Sequence, residues 1–568
     1  MTISYSEFIK EAHLEGFEDS EKYRAWEPKI KKYREKLVNS IPEEFKITLP
    51  TDVAELQEKG FNGVDFLYKS GVLSSKEIEI TDMSASDLLG QMASSELSAE
   101  EVFKAFAHRA CVAHQLTNCA AEIFYDEGLE RARSLDKYLK EKGTTIGPLH
   151  GLPISLKEQM NYAKKTTHGG YVSQLTNVPE KHGITTQVLE NLGAVFYVRT
   201  NQPQSLMHLD SNNNVTGATR NPYHLGLSPG GSSSGEGAIV TLGGSSIGVG
   251  TDIGGSIRGP AAFSGCHGLR PTSKRVSTSG GVSSGMGQES VLAVAGPLAR
   301  TIDEIDLFMK NYLNAGKPWE LDGSLVPMKW RDVPVPEPQK LTVGIMCDDG
   351  LVKPSPPIVR ALKFASEKLK AAGVNVVDFK PIKTDVASDT VLKMYNCDGN
   401  EKQRQLLSAS GEPLTELTKY ILSQGDGSKP YSVQQNRVLN FIRDGLRTEY
   451  TEAMVKQKVD IILCPTYNNV APRPEKIFNW SYTSLFNALD FPSLSLQTGL
   501  FQDPSIDTWD DGHKNYVFRN DLEKLECALY NPVLFKGAPI ALQVATRRYF
   551  DEELVAASKL LVKLFGTK

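Results

Sequence analysis

The first 77 residues combine a helical hydrophobic pattern with residues that interrupt helices. Apolar side chains recur three or four residues apart in the stretch Lys22–Ile41, at Trp26, Ile30, Tyr33, Leu37 and Ile41. That spacing predicts an amphipathic helix with one apolar face. Prolines and glycines between residues 42 and 63 break the pattern. We expect residues 1–77 to form a helical extension packed on the main domain, with a partner-binding or dimerisation arm as the alternative.

From residue 78 onwards the pattern alternates between capped helices and short apolar runs. Ser98 with Glu101, and Thr301 with Glu304, have the spacing of capping boxes, and residues 126–140 have a helical period. Short apolar runs that predict buried strands lie at 153–157, 194–199, 341–346, 374–379, 460–466 and 537–544. Such alternation is typical of α/β proteins. We therefore expect a single large domain over residues 78–568, with a central mixed, mostly parallel β-sheet covered by helices.

Residues 227–272 are crowded with glycine and serine, yet they do not resemble a flexible linker. Apolar residues such as Ile239, Ile247 and Phe263 interrupt the glycines, and these side chains favour burial. Few side chains in this stretch can do chemistry, and they are Ser232, Ser233, Ser234, Glu236, Ser256, Asp252, Arg258 and Arg270. A serine hydroxyl surrounded by glycines suggests a nucleophile with backbone N–H groups close by.

A serine nucleophile needs a base, and Lys157 is a candidate. It ends the apolar run Pro153–Leu156, so we expect it to be buried at the end of a strand. Burial favours the neutral amine, which is the form that can accept a proton. We expect the next residue, Glu158, to point away from this site.

Together these segments resemble the amidase signature family. The matching residues are Gly230–Ser233, Gly250–Arg258, Pro260-Ala261, Gly268–Thr272 and the G-x-P-x-x-x-K segment Gly151–Lys157. The resemblance extends from about Ile80 to the C-terminus. Within the family the chain is most similar to the fungal acetamidase and general amidase branch, which is also similar to fatty acid amide hydrolases.

The resemblance implies a Ser–Ser–Lys triad. Ser256 would be the nucleophile, Ser232 the bridging serine after a cis peptide bond, and Lys157 the base. The oxyanion hole would consist of backbone N–H groups of Ile253, Gly254, Gly255 and Ser256. Supporting roles fall to Gly231, Ser233, Asp252 and Arg258, and Leu206 and Met207 are candidates for the acyl pocket. The family usually has glycine where this chain has Ser234, which leaves the width of the pocket open.

Composition narrows the classes of function. The formal net charge is −5 and no basic run stands out, so we expect no nucleic acid partner. The seven cysteines are dispersed without a CxxC pair, and the N-terminus lacks the apolar core of a signal peptide, which favours the cytoplasm. No apolar run has the length of a membrane anchor. No metal-ligand spacing is found, and no cofactor is expected. Homodimerisation is left open.

We therefore expect an amidase that hydrolyses carboxylic acid amides, with short aliphatic amides such as acetamide as substrates. Hydrolysis of long-chain fatty acid amides, the amidase subunit of a tRNA amidotransferase and a catalytically silent descendant are alternatives. Three weaker alternatives concern single features: a thiol nucleophile at Cys266, a dinucleotide fingerprint near Gly248, and a metal site.

Overall fold

The computed structural model describes residues 5–567. Within this range one sheet of 11 strands runs in the order β1-β3-β2-β4-β6-β5-β10-β11-β9-β7-β8. The strands are β1 (Ala120–Ile123), β2 (Pro153–Lys157), β3 (Val195–Thr200), β4 (Ile247–Asp252), β5 (His267–Arg270), β6 (Val294–Ala299), β7 (Thr342–Ile345), β8 (Asn375–Asp378), β9 (Ile461–Pro465), β10 (Ser493–Phe501) and β11 (Pro539–Ala545). All six predicted strands are present, with bounds that differ by at most two residues.

The sheet is mixed, as expected, but it is not mostly parallel. Only the pairs β2–β3, β2–β4, β7–β8 and β7–β9 are parallel. The other six neighbouring pairs in the described chain are antiparallel. The expectation was wrong because it rested on the βα units at the two flanks, where parallel strands need a crossover helix. The antiparallel middle of the sheet comes mainly from β4, β5, β6 and β10, which had not been predicted from the sequence.

Helices surround this sheet and precede it. Those before the first strand are α1 (Ser20–Arg24), α2 (Glu27–Asn39), α3 (Val53–Glu58), α4 (Gly63–Lys69), α5 (Ser75–Asp82), α6 (Ala85–Ala93) and α7 (Ala99–Thr117). The next five are α8 (Tyr125–Lys142), α9 (Ile184–Asn191), α10 (Ser234–Thr241), α11 (Arg258–Ser264) and α12 (Ile302–Asn314). The remainder are α13 (Pro356–Ala371), α14 (Thr384–Tyr395), α15 (Glu401–Ser410), α16 (Glu416–Leu422), α17 (Val433–Gln457), α18 (Ser481–Leu489), α19 (Asp521–Leu529) and α20 (Asp551–Phe565).

Helix α2 carries the apolar stripe that the sequence predicted. Leu37 and Ile41 join the main hydrophobic core, and Ile30 packs with Val172 and Val215 of the main domain. One turn after Ile30, the Arg34 guanidinium donates to the Val215 carbonyl at 2.6 Å. The extension therefore lies on the main domain. The proposed boundary at residue 77 falls inside α5, so the division into 1–77 and 78–568 remains a proposal.

The sheet and two short helices bring the glycine- and serine-rich segments together. Strand β2 lies between β3 and β4, and all five of its residues are buried. A strand covered on both faces needs a nearly continuous apolar run, which Pro153–Leu156 supplies. Helix α10 begins at the third of the three consecutive serines, Ser234, and helix α11 follows Ser256. Their N-terminal ends therefore lie at the same end of the sheet as Lys157.

Candidate active site

Lys157 lies at the C-terminal end of β2 and has no exposed surface. Its Nζ atom is 2.6 Å from the Ser232 hydroxyl and 2.9 Å from the Thr251 hydroxyl. No carboxylate in the described part of the chain forms an ion pair with it. Burial therefore lowers the pKa of Lys157 to about 7, although the charges of Asp252 and Glu236 act in the opposite direction. The amine can be neutral near neutral pH.

Glu158 points away from this site, as the sequence predicted. Side chains alternate between the two faces of a strand, so consecutive residues point in opposite directions. The Glu158 carboxylate accepts hydrogen bonds from the backbone N–H groups of His168 at 2.6 Å and Gly169 at 3.0 Å. Its charge is thus stabilised on the other side of the strand.

Ser232 follows a cis peptide bond between Gly231 and Ser232, as the family resemblance implied. The backbone of Gly231 passes close to Asp210. A side chain at 231 would place its Cβ atom 1.8 Å from the Asp210 carbonyl oxygen, so only glycine fits there. Ser232 then presents its hydroxyl to Lys157.

Ser256 lies in the turn between β4 and α11, and only 5% of its surface is exposed. Its carbonyl accepts a hydrogen bond from the Ser233 N–H at 3.0 Å, which ties the two serine-bearing loops together. Ser232 and Ser256 line the same cavity. The structure thus brings together the three residues that the sequence analysis assigned to a triad.

Four residues were expected to supply oxyanion-hole N–H groups, and one of those groups is already engaged. The Gly255 N–H donates to the Asp252 carboxylate at 2.9 Å. The Ile253 and Gly254 carbonyls are also engaged, by the Tyr395 and Thr483 hydroxyls, both at 2.6 Å. The candidates that remain for binding an oxyanion are the N–H groups of Ile253, Gly254 and Ser256.

Asp252 and Arg258 form a buried ion pair beside this turn. The Arg258 Nε and Nη2 atoms each lie 3.1 Å from an Asp252 oxygen, and Asn487 donates to the same carboxylate at 2.8 Å. Burial alone would raise the pKa of Asp252, but the Arg258 charge and these hydrogen bonds bring it well below its usual value. Arg258 also donates to the Thr483 carbonyl. This pair fixes the turn rather than exposing a reactive group.

Ser233 was expected to have a supporting role, and its side chain contacts Thr251. The Ser233 hydroxyl donates to the Thr251 carbonyl at 3.2 Å and accepts from the Thr251 N–H at 3.1 Å. The Thr251 side chain, in turn, contacts Lys157. The sequence analysis missed Thr251, although its place in the signature next to Asp252 could have indicated it.

Gln159 was missed as well. Its side-chain oxygen accepts a hydrogen bond from the Thr251 hydroxyl at 2.8 Å. It lies two residues after Lys157, and it also lines the cavity that holds Ser256. No sequence pattern in the lysine segment singled it out.

The cavity beside Ser256 has a volume of about 760 Å³. Its walls include apolar side chains at Met160, Leu206, Met207, Val276, Val282 and Leu325. Polar side chains line another part of it, at Gln403, Asn436, Asn440 and Arg443. The structure thus places both acyl-pocket candidates, Leu206 and Met207, in the wall of this cavity. Their contact with an acyl group remains a prediction.

Ser234 does not line the cavity. Its hydroxyl donates to the Asn201 carbonyl at 3.1 Å, at the first residue of α10. The departure from the family's usual glycine therefore adds a hydrogen bond behind the site and leaves the cavity wall unchanged.

The weaker alternatives find little support in the geometry. Cys266 is buried outside the cavity lining, and burial raises the pKa of its thiol to about 12, which disfavours a thiolate nucleophile. Residues Ile247–Asp252 form a strand, not the strand-to-helix turn of a dinucleotide fingerprint. Within residues 5–567, no group of three or more His, Cys, Asp or Glu side chains could hold a metal ion.

Among the helices that the structure describes, none combines the length and apolar character needed to cross a bilayer.

The chain matches a family model described as Amidase over residues 101–555. It is 38% identical to an acetamidase of Emericella nidulans over 558 residues, which covers 96% of this chain and 99% of the relative. It is 35% identical to an acetamidase of Aspergillus oryzae, with 95% and 99% covered.

A solved structure of a fatty acid amide hydrolase is more similar still. It shares 59% sequence identity with this chain, superposes with a TM-score of 0.99, and each chain is covered completely. A bacterial aryl acylamidase, at 21% identity and a TM-score of 0.67, shares the fold.

Proposed function

This chain belongs to the amidase signature family and is an amide hydrolase, and from that premise we propose that it works through an acyl-enzyme formed on Ser256. The observation that supports the proposal best is the 2.6 Å contact between Lys157 and Ser232, because Ser232 lines the same cavity as Ser256. A serine hydroxyl becomes an effective nucleophile only with a base in reach. A neutral lysine can be that base without a histidine.

In the proposed reaction, the Ser256 oxygen attacks the amide carbonyl and its proton passes through the Ser232 hydroxyl to the Lys157 amine. The negative charge that develops on the carbonyl oxygen is held by the N–H groups of Ile253, Gly254 and Ser256. The proton then returns through Ser232 to the leaving amine as the C–N bond breaks. Water attacks the acyl-enzyme through the same relay and releases the carboxylic acid.

Phosphonylation of Ser256 by a fluorophosphonate tests this mechanism. A fluorophosphonate should form a single adduct, on Ser256, detected by mass spectrometry of the digested protein. Ser256→Ala should abolish both the adduct and amide hydrolysis while the fold is retained. Ser234→Ala offers a matched control, since Ser234 lies in the same serine run but outside the cavity, and it should label normally. An adduct on Cys266 would contradict the proposal.

For the substrate, the structure and the comparisons favour an acyl group larger than the acetyl group expected from the sequence. Acetamide would occupy a small part of a cavity of about 760 Å³, which has the size of sites for drug-sized ligands. The fatty acid amide hydrolase is also more similar to this chain than the acetamidases are, 59% against 38% and 35% identity. We propose amides with medium or long acyl chains, and retain short aliphatic amides as the second candidate.

A series of acetamide, hexanamide and dodecanamide separates the two candidates. Each buried methylene contributes about 0.8 kcal/mol, so kcat/KM should rise by up to about fourfold per methylene until the cavity is filled. Met207→Trp should shorten the accepted range and spare acetamide. A preference for acetamide over hexanamide would instead favour the acetamidase assignment.

The same assay shows whether the chain acts without a partner subunit. The isolated chain should turn over amides without another protein, whereas dependence on a partner subunit would favour the amidotransferase alternative. A cytoplasmic location remains part of the proposal, and all seven cysteines are free thiols in the structure. Measurement of the mass in solution would show whether the chain forms a homodimer.

A further inference from the structure

Three side chains form a hydrogen-bonded chain that begins at the Lys157 amine and is separate from its contact with Ser232. The Lys157 amine contacts the Thr251 hydroxyl at 2.9 Å, and the Thr251 hydroxyl contacts the Gln159 side-chain oxygen at 2.8 Å. Gln159 carries no charge and is not part of the proposed triad. Its position at the end of this chain nevertheless determines which group donates in the hydrogen bond between Lys157 and Thr251.

The chemistry of the groups fixes the direction of each bond. The Gln159 Nε2 atom lies 3.4 Å from the Val282 carbonyl, which can only accept, so the amide nitrogen faces Val282 and the amide oxygen faces Thr251. An amide oxygen can only accept, so the Thr251 hydroxyl donates its single proton to Gln159. Thr251 must therefore accept from an N–H of Lys157.

This direction matters because a neutral amine has one lone pair. The lone pair has to face Ser232 if Lys157 is to receive the proton of the relay. A threonine hydroxyl without another acceptor could rotate and donate to that lone pair itself, in competition with Ser232. The Gln159 oxygen removes this competition, because it occupies the only proton that the Thr251 hydroxyl carries.

We propose that Gln159 is a positioning residue that directs the lone pair of Lys157 toward Ser232 by holding the Thr251 hydroxyl as an acceptor. The inference rests on the proposed function, in which Lys157 is the base. Gln159 also connects this arrangement to the cavity wall, since its backbone carbonyl accepts from the Val282 N–H at 3.0 Å.

A double-mutant cycle tests the proposal. Gln159→Met removes the acceptor and keeps the shape of the side chain, and it should lower kcat by about tenfold, the size of one net hydrogen bond. Thr251→Val removes the competing hydroxyl and keeps its shape. In the Thr251→Val background, Gln159→Met should change kcat by less than about twofold, because no hydroxyl remains to be directed.

Thr251→Ser is the matched control for this cycle. It keeps the hydroxyl, so Gln159→Met should again cost about tenfold in that background. Equal losses in the valine and serine backgrounds would overturn the proposal, because they would mean that Gln159 acts by packing or by contact with the substrate. An unchanged kcat for Gln159→Met in the wild-type background would overturn it as well. Thermal unfolding of each variant checks that the fold is kept.

Lys157→Ala separates this inference from the proposed function. If that variant keeps substantial turnover and the pH dependence of the wild type, the base is another residue and the proposed function fails. If Lys157→Ala is inactive while the cycle is additive, the base is correct and only the role of Gln159 is wrong.

Discussion

Two buried basic side chains lie close to the same turn, and their surroundings differ completely. Arg258 contacts both oxygens of Asp252, and it donates to Asn487, Thr483 and Gln543 as well. Lys157 has two hydroxyl groups as its hydrogen-bond partners within residues 5–567, and no carboxylate in contact. Both side chains are fully buried.

The difference shows that two buried basic side chains can serve different purposes in one protein, depending on whether a carboxylate contacts them. A buried ion pair with all of its hydrogen bonds made stays ionised and holds its loops in one geometry. A buried amine without a counter-ion has a lowered pKa, so it can gain and lose a proton near neutral pH. Arg258 and its partners thus hold the turn of Ser256, whereas Lys157 and its two hydroxyl partners are the groups to which we assign proton transfer.

The strongest way to break this comparison is to remove the reactive amine. Lys157→Ala should lower kcat by about 10²–10⁴-fold, the range for loss of a general base. In the wild type the rate should rise with pH through about 7, the pKa of Lys157, because only the neutral amine accepts a proton. Lys157→Arg should fail too, since a guanidinium stays protonated. The measurement is the pH–rate profile of each variant, and a mutant that keeps the wild-type limb would assign the base elsewhere.

A substitution in the Asp252–Arg258 ion pair should lower the free energy of unfolding. Asp252→Asn leaves the Arg258 charge buried without its counter-ion, and such a change costs about 3–5 kcal/mol of unfolding free energy. Denaturant titration of wild type and variant measures it. Lys157→Met is the contrasting control, because it replaces an uncompensated buried amine by an apolar side chain and should leave stability unchanged or increase it. Equal losses in the two variants would remove the distinction between the clusters.

The sequence allowed much of this site to be predicted, because its chemistry is local. Lys157 ends an apolar run, and the serines stand among glycines in a long signature, so both could be assigned before the fold was known. Thr251 and Gln159 could not be assigned in this way. Their roles depend on the contact between the Thr251 hydroxyl and the Gln159 amide, which lie on two separate segments of the chain. The antiparallel middle of the sheet escaped prediction because β4 and β6 are rich in glycine and proline, which hides the pattern of a strand.

Glu236 extends the comparison, since it is a buried acid that forms no ion pair with any residue between 5 and 567. Its partners are the hydroxyls of Ser155 at 2.5 Å and Thr200 at 2.7 Å. Burial raises its pKa from 4.5 to about 8. A folded-state pKa above the unfolded value means that stability is fully present below pH 4.5 and falls as the pH rises through about 8.

Glu236→Gln should therefore flatten the loss of stability between those pH values. The amide is neutral at every pH and can still accept from one of the two hydroxyls. Unfolding free energies at pH 5 and pH 9 for both proteins measure the effect, which we expect to be a few kcal/mol in favour of the variant at the higher pH. Parallel pH dependences would show that Glu236 is already ionised in the folded protein.

The smallest expected effect concerns Ser234, which belongs to neither the Lys157 nor the Arg258 hydrogen-bond network. Its hydroxyl donates to the Asn201 carbonyl, and that carbonyl also accepts from the Gly235 N–H at 3.0 Å. Ser234→Ala therefore leaves the carbonyl with one partner and should cost about 0.5–1.5 kcal/mol of unfolding free energy. Because Ser234 does not line the cavity, kcat and the order of acyl preference should stay as in the wild type. Ser232→Ala, two residues earlier, should show the reverse, with little change in stability and a large loss of kcat. A changed acyl preference in Ser234→Ala would mean that the start of α10 shapes the pocket after all.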